Sequence, residues 1–389
     1  MSYLPHQIRA SDEALPILDE LGMCYIFGEP RSGKTRTALR IADQFDRVLV
    51  FCPKAAIPGW SSEMAATGVA VDITNYEQAK HIYCDSHDLV VVDEAHNLGG
   101  TGKASQRWKA IRKVIGDASV LLLSGTPIIE TPLAAYYQFG LSPRTPLAFK
   151  SFYRFFDAWG IPSLIKMHGQ LVETYKKARP GLLDVLEPYI VRVSQDDAGI
   201  VHQAQDRVHV VPLAPATHKL LGDIVADQLL HAPGVTIPIE SDMQERVTLH
   251  QVESGALKLP DGEIILLDNT EVVDYLLATF GDAPDVAYMV HFHSTRAKMA
   301  VVFTKAHIYS STAHAEGVDL SSYRHLVVVN SGYSGAKFVQ RRERGTNINR
   351  TTEALVHHIV TDGGVSRDVY ELTSKKLNYN LDTFRRRKP

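Results

Sequence analysis

The octapeptide GEPRSGKT at residues 28–35 constrains the fold of this chain more than any other stretch. It follows the apolar run MCYIF, which predicts a short buried strand. It precedes apolar side chains that recur at helical spacing: Ala38, Ile41, Ala42 and Phe45. A glycine-rich loop between a strand and a helix offers an anion backbone N–H groups and the positive end of the helix dipole. The pattern therefore predicts a phosphate-binding loop in an α/β domain.

The side chains within the loop suggest separate roles in binding ATP and its metal ion. We expect Lys34 to reach the β- and γ-phosphates and the Thr35 hydroxyl to ligate Mg²⁺. The loop residues expected to bind the nucleotide are Gly28, Glu29, Pro30, Arg31, Ser32, Gly33, Lys34, Thr35 and Arg36. The chain is thus predicted to bind ATP together with magnesium.

Acidic residues close a second predicted strand. Leu89–Val92 is an unbroken apolar run, typical of a buried parallel strand, and Asp93 and Glu94 follow it in the sequence VVVDEAHNL. Ligands of open α/β sheets bind at the carboxyl ends of the strands. We therefore expect Asp93 to hold the Mg²⁺ through water and Glu94 to polarise the attacking water.

Another predicted strand, VLLLSGTPI at residues 120–128, ends in small hydroxyl residues. Side chains of this kind at a strand end can sense the γ-phosphate and relay its state. The candidate coupling residues are His96, Ser124, Gly125 and Thr126.

The order of these stretches resembles a known family. The series GEPRSGKT, VFCPKAAIPGW, ITNYEQA, VVVDEAHNL and LLLSGTPI is similar to the first motor lobe of superfamily II helicases, most of all the Swi/Snf-like translocases, and the size suggests their short phage or bacterial members. The resemblance implies an ATP-driven motor that acts on DNA. It extends back to LPHQ, where Gln7 is placed like the glutamine that reads adenine.

The resemblance also implies the domain layout. We expect an α/β fold of two RecA-like parallel-sheet lobes, residues 1–142 and 205–389, with a helical insertion and linker at 143–204. Independently, strands and helices alternate in the last third of the chain, which indicates a second parallel sheet. This second lobe is short between Phe292 and Ser310, which weighs against strong duplex unwinding more than against hydrolysis.

The second lobe is expected to contribute residues to the nucleotide site. The family pattern is a glutamine with arginines four and seven residues later. Counted from Gln340 it selects Arg344 and then Asn347, and shifted by three it selects Arg341 and Arg344. Arg344 is therefore the first candidate for an arginine finger and Arg341 the second, with Gln340 grouped with them. Arg342 is expected on a solvated helix face, and the resemblance adds two nucleotide contacts, Gly317 and Asp319.

Nucleic acid is expected to contact loops at strand ends. The candidate residues are Pro53, Lys54, Asn75, Tyr76, Ser311 and Thr312. Contacts to the phosphodiester backbone carry little sequence information, so binding is expected to be largely sequence-independent. The expected partner is DNA, whether single-stranded, duplex or branched, and RNA stays open.

Composition limits the partners and the compartment. Lys plus Arg number 41 against 44 Asp plus Glu, a formal net charge of −3, which argues against binding nucleic acid through bulk positive charge. The 3 cysteines are far apart and suit neither a zinc site nor a disulfide framework. The sequence shows neither a signal-peptide core nor an apolar run of membrane length, so we expect a cytoplasmic protein with no membrane partner. If the protein is phage-encoded, the cytoplasm is that of the host. We also expect a monomer.

Two alternatives remain open at this stage. One is a translocase that remodels proteins on duplex DNA without separating the strands, which the short second lobe favours. The other is a P-loop ATPase with no nucleic-acid partner, which the near-neutral charge allows. Stimulation of ATP hydrolysis by DNA distinguishes this last class.

Overall fold

The computed structural model describes residues 3–82, 87–128, 131–167, 170–200, 204–232, 235–311, 320–334, 338, 342–346 and 353–385, without the side chains of 165–167, 170, 232, 344 and 376–385. The chain divides into two compact units, Met1–Val201 with Asn378–Pro389, and His202–Leu377. Each unit is α/β and contains one larger parallel sheet, as predicted. In the described part of the chain, no helix combines the length and the apolar character needed to cross a membrane.

The first unit is built on a parallel sheet. In chain order the strands of the unit are β1 Met23–Gly28, β2 Val48–Cys52, β3 Asp72–Asn75, β4 Leu89–Asp93, β5 Ser119–Ser124, β6 Gly160–Met167, β7 Gln170–Ala178 and β8 Ile190–Val193. Of these, β6 and β7 form a separate antiparallel hairpin. The sheet has 6 strands in the order β3-β2-β4-β5-β1-β8, with every neighbouring pair parallel. Since all strands run the same way, the residues that follow their carboxyl ends meet at one edge of the sheet.

Helices cover both faces of this sheet. They are α1 Pro5–Leu21, α2 Lys34–Ala42, α3 Ile57–Thr67, α4 Gln106–Ile115, α5 Ala135–Phe139 and α6 Phe152–Trp159, with short 3-10 helices at Lys54–Ala56, Tyr76–His81, Ala95–Leu98, Pro132–Ala134 and Asp184–Tyr189. Successive strand residues point to opposite faces. Accordingly Tyr25 and Phe27 pack with Ile111 and Phe139 in one core, and Ile26 packs with α1 and α2 in another.

The segment expected to be a helical insertion differs from that expectation. It contains α6, but an antiparallel pair, β6 and β7, follows, and β8 then joins the parallel sheet beside β1. The aromatic-rich stretch FYRFFDAW forms α6, in line with the expected helical character. The following stretch LVETYKK has no strict alternation of polar and apolar residues, but its Val172, Thr174 and Tyr175 are of types that favour strands, and it forms β7.

The second unit contains another parallel sheet. Its strands are β9 Ala204–Val211, β10 Leu229–Ala232, β11 Val235–Pro238, β12 Ala256–Lys258, β13 Ile264–Leu266, β14 Val286–Val290, β15 His307–Ser310, β16 His325–Val328 and β17 Ala354–Thr361. The parallel sheet has 5 strands in the order β15-β14-β16-β17-β9. The pairs β10–β11 and β12–β13 form separate antiparallel hairpins.

Helices of this unit pack on the sheet and around the hairpins. They are α7 Pro215–Asp227, α8 Asp242–Val252, α9 Glu271–Phe280 and α10 His293–Ala300, with a 3-10 helix at Glu343–Gly345. The last helix, α11 Ser366–Arg385, belongs to this unit up to Leu377. The stretch from α7 to β13 has its own small apolar core, in which Leu221, Leu230, Leu249 and Leu257 are buried. The short connection from β14 to β15 holds only α10, consistent with the limited length noted in the sequence.

Candidate nucleotide site in the first unit

The glycine-rich loop joins β1 to α2, as the sequence predicts. β1 ends at Gly28 and α2 begins at Lys34. Gly33 has a left-handed backbone with φ of 78°, a conformation that glycine adopts without strain. At Gly28 a Cβ atom would lie 2.5 Å from Cγ of Lys34, so a side chain there would displace Lys34 from this position. Both glycines of the motif thus suit the local geometry of the loop.

Lys34 lies across the loop. Its Nζ donates hydrogen bonds to the carbonyl oxygens of Gly28 at 2.8 Å and of Glu29 at 3.3 Å. A Cβ placed on Gly125, at the end of β5, would be 3.4 Å from the same Nζ. The ammonium group therefore lies where the phosphate loop and the residues after β5 meet.

Asp93 is a buried carboxylate at the end of β4, held by hydrogen bonds. The indole Nε1 of Trp60 donates to Oδ2 at 2.9 Å, and the backbone N–H of Glu94 donates to Oδ1 at 2.9 Å. Burial and the nearby Glu94 charge raise the pKa of Asp93 to about 6, while the Trp60 hydrogen bond and Lys34 oppose this rise. Because each oxygen accepts only one of these bonds, the carboxylate retains acceptor capacity for a further group.

The donor set suits the predicted metal. Thr35 lies in the first turn of α2 and is partly exposed, and Asp93 lies at the same edge of the sheet. A hydroxyl and a carboxylate are oxygen ligands of the kind that Mg²⁺ takes in phosphate sites, where it keeps several waters. Among the described residues no cluster of three or more His, Cys, Asp or Glu side chains could hold a metal by itself. Any Mg²⁺ bound here would accordingly depend on phosphate and water oxygens.

Glu94 is linked to the end of β5 through His96. Glu94 adopts φ of 52°, which is uncommon for a residue with a side chain. Its Oε2 lies 3.2 Å from Nδ1 of His96, and this nitrogen is 2.9 Å from Oγ of Ser124. Ser124 Oγ also accepts the backbone N–H of Thr126 at 3.0 Å. The structure thus brings together three of the predicted coupling residues, and Gly125 lies between them in the chain.

The first turn of α1 packs against the phosphate loop. The buried His6 donates from Nε2 to the carbonyl oxygen of Ser32 at 3.0 Å. Gln7 is also buried; its Oε1 accepts the backbone N–H of Leu4 at 2.9 Å. A Cβ on Gly33 would lie 2.4 Å from Nε2 of Gln7. Gln7 is therefore beside the loop, and its reading of adenine stays a prediction.

Other loop residues predicted to bind the nucleotide have distinct surroundings. Ser32 is buried, and its Oγ has no hydrogen-bond partner among the described residues. Arg36 Nε donates to Oε2 of Glu63 on α3 at 2.6 Å, so this guanidinium ties α2 to α3. Arg31 has φ of 69° and, with Glu29 and Pro30, forms the crest of the loop between β1 and α2.

The predicted nucleic-acid residues of the first unit divide into exposed and buried ones. Lys54 is exposed and Pro53 partly exposed after β2. The Asn75 Oδ1 accepts the backbone N–H groups of Glu77 and Gln78, at 3.0 and 3.2 Å, and so caps a 3-10 helix. Tyr76 is only 4% exposed, and its hydroxyl donates to the carbonyl oxygen of Asp93. This burial leaves Tyr76 little surface for a nucleic acid, and we assign it to support of Asp93.

Few of the residues predicted in the second unit lie in the described part of the chain. Ser311 is 1% exposed and its N–H donates to the carbonyl oxygen of Val290 at 2.7 Å, so it too has little surface for a nucleic acid. Arg344 lies in the 3-10 helix Glu343–Gly345, but its side chain is outside the described set. The other predicted residues outside the described ranges are Thr312, Gly317, Asp319, Gln340 and Arg341.

The expectation for Arg342 is wrong. Its guanidinium donates from Nε to Oδ2 of Asp206 at 2.6 Å and also pairs with Glu343. The side chain is 16% exposed, so it is not on a solvated face. A run of arginines in the sequence gives no information about which of them has a carboxylate beside it, because Asp206 is on a strand that is distant in sequence.

Sequence reasoning missed the residues that support the site from other elements. These are His6 on the loop carbonyl, Trp60 on Asp93, and Gln195 on the phosphate loop. Trp60 could be noticed in the sequence, since IPGW is one of the stretches that carry the family resemblance. Its hydrogen bond to Asp93, however, depends on the packing of α3 against the end of β4, which the sequence does not show. Gln195 had no pattern at all.

No protein-family model matches this chain, and no curated protein matches it. The resemblance to superfamily II motors therefore depends on the motif residues themselves.

Proposed function

We propose that this protein is an ATP hydrolase whose catalytic groups lie at the carboxyl edge of the first sheet. The observation that carries the proposal is that Lys34, Asp93 and Glu94 belong to one connected set. Lys34 lies beside Gly125, Asp93 is hydrogen-bonded to the backbone of Glu94, and Glu94 contacts His96. A glycine-rich loop with a lysine, next to two adjacent carboxylates at strand ends, is the arrangement that phosphoryl transfer from ATP requires.

In this proposal each residue of the site has a separate role in binding or hydrolysing ATP. Lys34 exchanges its bonds to the loop carbonyls for the β- and γ-phosphate oxygens, and the loop N–H groups bind the remaining phosphate charge. Thr35 and Asp93 are the residues that would hold Mg²⁺, which neutralises charge on the phosphates when bound. Glu94 orients the attacking water, and its contact with His96 connects that water to Ser124 and Thr126.

We further propose that hydrolysis drives movement along a nucleic acid, with DNA as the expected partner. The support is the order of the motifs and the presence of a second unit with its own parallel sheet. In this proposal the two units are RecA-like lobes and Arg344 completes the nucleotide site. Exposed groups at strand ends, such as Lys54, would bind phosphates of the nucleic-acid backbone.

The experiment is the ATPase rate measured against a panel of single-stranded, duplex and branched DNA and RNA. A motor is expected to be stimulated by at least one of them, with affinity that falls as salt rises at a log–log slope of about 0.7 to 0.9 per neutralised phosphate. Paired strand-displacement and triplex-displacement assays then separate unwinding from translocation on duplex DNA.

A second candidate is a P-loop ATPase with no nucleic-acid partner. The burial of Tyr76 and Ser311 favours it, because two of the six residues expected to contact nucleic acid have almost no exposed surface. Hydrolysis that no nucleic acid stimulates, together with a flat salt response, would establish this candidate over the motor.

A further inference from the structure

The phosphate loop is held from two sides by residues outside it. On one side His6 of α1 donates to the carbonyl oxygen of Ser32 at 3.0 Å. On the other side Gln195, two residues after β8, donates from Nε2 to the carbonyl oxygen of Pro30 at 3.0 Å. Both side chains are buried, and Gln195 is only 4% exposed.

Gln195 is bound to the loop by its backbone as well. Its N–H donates to Oε2 of Glu29 at 2.6 Å, while the N–H of Glu29 donates to the carbonyl oxygen of Val193 at 2.8 Å. β8 pairs with β1 up to Gly28, where the loop begins. The loop is thus an extension of the β1–β8 pairing, and Gln195 closes that extension.

These contacts set the direction of backbone N–H groups. In a trans peptide the C=O and N–H point in opposite directions. A donor that fixes the carbonyl of Pro30 therefore also fixes the N–H of Arg31, and His6 does the same for the N–H of Gly33. N–H groups of such a loop are what a phosphate binds. Gln195 thus controls the direction of a donor without itself contacting the anion.

The contact from Gln195 matters most when Lys34 leaves the loop. Lys34 now donates to the carbonyl oxygens of Gly28 and Glu29. A phosphate that attracts the ammonium removes that donor from both carbonyls, whereas the bond from Gln195 to Pro30 is independent of it. The crest of the loop then depends on Gln195 and His6 for its shape.

Gln195 belongs to a compact turn near the end of the first unit. Oδ2 of Asp197 accepts both the N–H and the Oγ–H of Ser194 at 2.8 Å, and the N–H of Ile200 donates to the carbonyl oxygen of Gln195 at 3.0 Å. Arg9 of α1 lies 3.3 Å from Oδ2 of Asp197. The chain passes from this unit to the next after Val201.

We propose that Gln195 is a positioning residue of the phosphate loop and that it transmits the nucleotide state of the loop to the turn at residues 194–200. This inference rests on the proposed nucleotide function and adds the route by which the site acts on the chain leading out of the unit. When phosphate draws Lys34 away and the loop tightens on the anion, the turn becomes more ordered through the bonds to Pro30 and Glu29.

The test compares wild type, Gln195→Met and Gln44→Met, where Gln44 is an exposed glutamine of the same unit. Methionine keeps the length of the side chain and removes its amide group, including the donor to Pro30, while the backbone bond to Glu29 stays. Affinity is measured with a fluorescent ATP analogue. Amide hydrogen exchange of the peptide containing residues 194–200 is measured with and without saturating non-hydrolysable ATP analogue.

In wild type and Gln44→Met the nucleotide is expected to slow exchange in this peptide several-fold. In Gln195→Met the affinity is expected to fall about three- to tenfold, the worth of one hydrogen bond, while saturating nucleotide slows exchange there clearly less than in wild type, because only the backbone bond to Glu29 remains. A purely structural role would change the affinity or the basal exchange, but it would leave the nucleotide-dependent slowing in place.

Two results would overturn the inference while leaving nucleotide binding intact: equal slowing in Gln195→Met and wild type, or no slowing in a wild-type protein that binds the analogue. A wild type that binds no nucleotide overturns the proposed function and this inference with it. If Gln195→Met does not fold, Gln195→Glu, which keeps the shape and replaces the donor with an acceptor, takes its place with the same expected outcome.

Discussion

The indole Nε1 of Trp60 donates a hydrogen bond to Oδ2 of Asp93 across 2.9 Å, and both side chains are buried. Trp60 comes from α3 and Asp93 from the end of β4, so the bond joins two elements that are adjacent only in the fold. A carboxylate fixed in this way presents its remaining lone pairs in one direction, and outer contacts of this kind commonly tune metal ligands.

We expect Trp60→Phe to weaken the use of Mg²⁺ more than the binding of nucleotide. Loss of such a supporting contact typically costs about 10- to 100-fold in metal affinity or activity. The measurement is the Mg²⁺ concentration that gives half-maximal ATPase rate. Trp159→Phe, at a half-buried tryptophan on α6, is the matched control. Equal Mg²⁺ dependence in all three proteins would show that Asp93 does not depend on Trp60.

Lys34→Ala and Glu94→Gln are expected to abolish hydrolysis at different steps. The first removes the counter-charge for phosphate and should weaken nucleotide binding. The second should leave binding intact, since Glu94 is proposed to act on water. Binding of a fluorescent ATP analogue and single-turnover hydrolysis separate the two effects, and Lys103→Ala at an exposed lysine is the control. An equal loss of ATP affinity in both variants would contradict the assigned roles.

His96→Gln is expected to lower turnover by up to about 10-fold with little change in ATP affinity. The imidazole Nδ1 is hydrogen-bonded to Ser124 Oγ at 2.9 Å and lies 3.2 Å from Glu94 Oε2, and the loss of one hydrogen bond costs about 0.5–1.5 kcal/mol. Steady-state kinetics give the KM and kcat separately. The exposed His81 of the same unit serves as the control in His81→Gln. A rise in KM at constant kcat would place His96 in nucleotide binding instead.

Much of the first sheet could be predicted because each of its strands carries its own local pattern. β4 is an apolar run that ends in two carboxylates, and β1 is an apolar run that ends in a glycine loop. Burial on both faces of a parallel strand produces continuous apolar sequence, and strand ends collect the polar residues. The positions of Lys34, Asp93 and Glu94 follow from this logic.

The supporting contacts could not be predicted, since they depend on which distant segment reaches the site. Gln195 lies 165 residues from Pro30, and its sequence surroundings resemble an ordinary polar turn. Tyr76 follows a predicted strand end, which favours a surface position. Its ring instead packs in the core, with its hydroxyl on the carbonyl oxygen of Asp93. Local patterns identify strand ends, but only the packed structure shows which side chains turn inwards.

The three neighbouring arginines at positions 341, 342 and 344 are expected to differ in what they contribute, two of them to turnover and one to stability. Arg344→Ala should lower stimulated turnover by about 10³- to 10⁵-fold, as expected for an arginine finger, with little change in ATP affinity. Arg341→Ala should cost less. Arg342→Ala should instead lower thermal stability, because its ion pair with Asp206 is largely buried. Turnover and melting temperature are measured for all three.

Two outcomes would contradict this assignment. A small and equal loss of turnover in all three variants would indicate a generic basic surface. A large loss in Arg341→Ala with none in Arg344→Ala would show that the arginine pattern is misplaced in this chain.

A row of histidines crosses three neighbouring strands of the second sheet. His357 on β17 is hydrogen-bonded on one side to His209 on β9 at 2.9 Å and on the other to His325 on β16 at 3.1 Å. His209 also bonds the Tyr275 hydroxyl at 2.9 Å. Burial, followed by the neighbouring His209 and His325, lowers the pKa of His357 to about 4. Each link needs one donor and one acceptor, which neutral rings supply and charged rings do not.

The row predicts that the second unit loses stability in acid. His357 has its ordinary pKa of 6.5 when unfolded and about 4 when folded, so protons favour the unfolded state as pH falls from 6.5 towards 4, at a cost of at most about 3 kcal/mol. Glu253, whose pKa burial raises to about 7, gives the opposite trend, and comparison with a variant cancels it. We expect the free energy of unfolding of His357→Gln to fall less steeply over this range than that of wild type or of His231→Gln, at an exposed histidine.

Far-ultraviolet circular dichroism follows urea unfolding of the whole protein. Fluorescence follows the first unit alone, because Trp60, Trp108 and Trp159 all lie there. Parallel pH profiles in the three proteins, or a difference confined to the fluorescence transition, would rule out the histidine row as the cause.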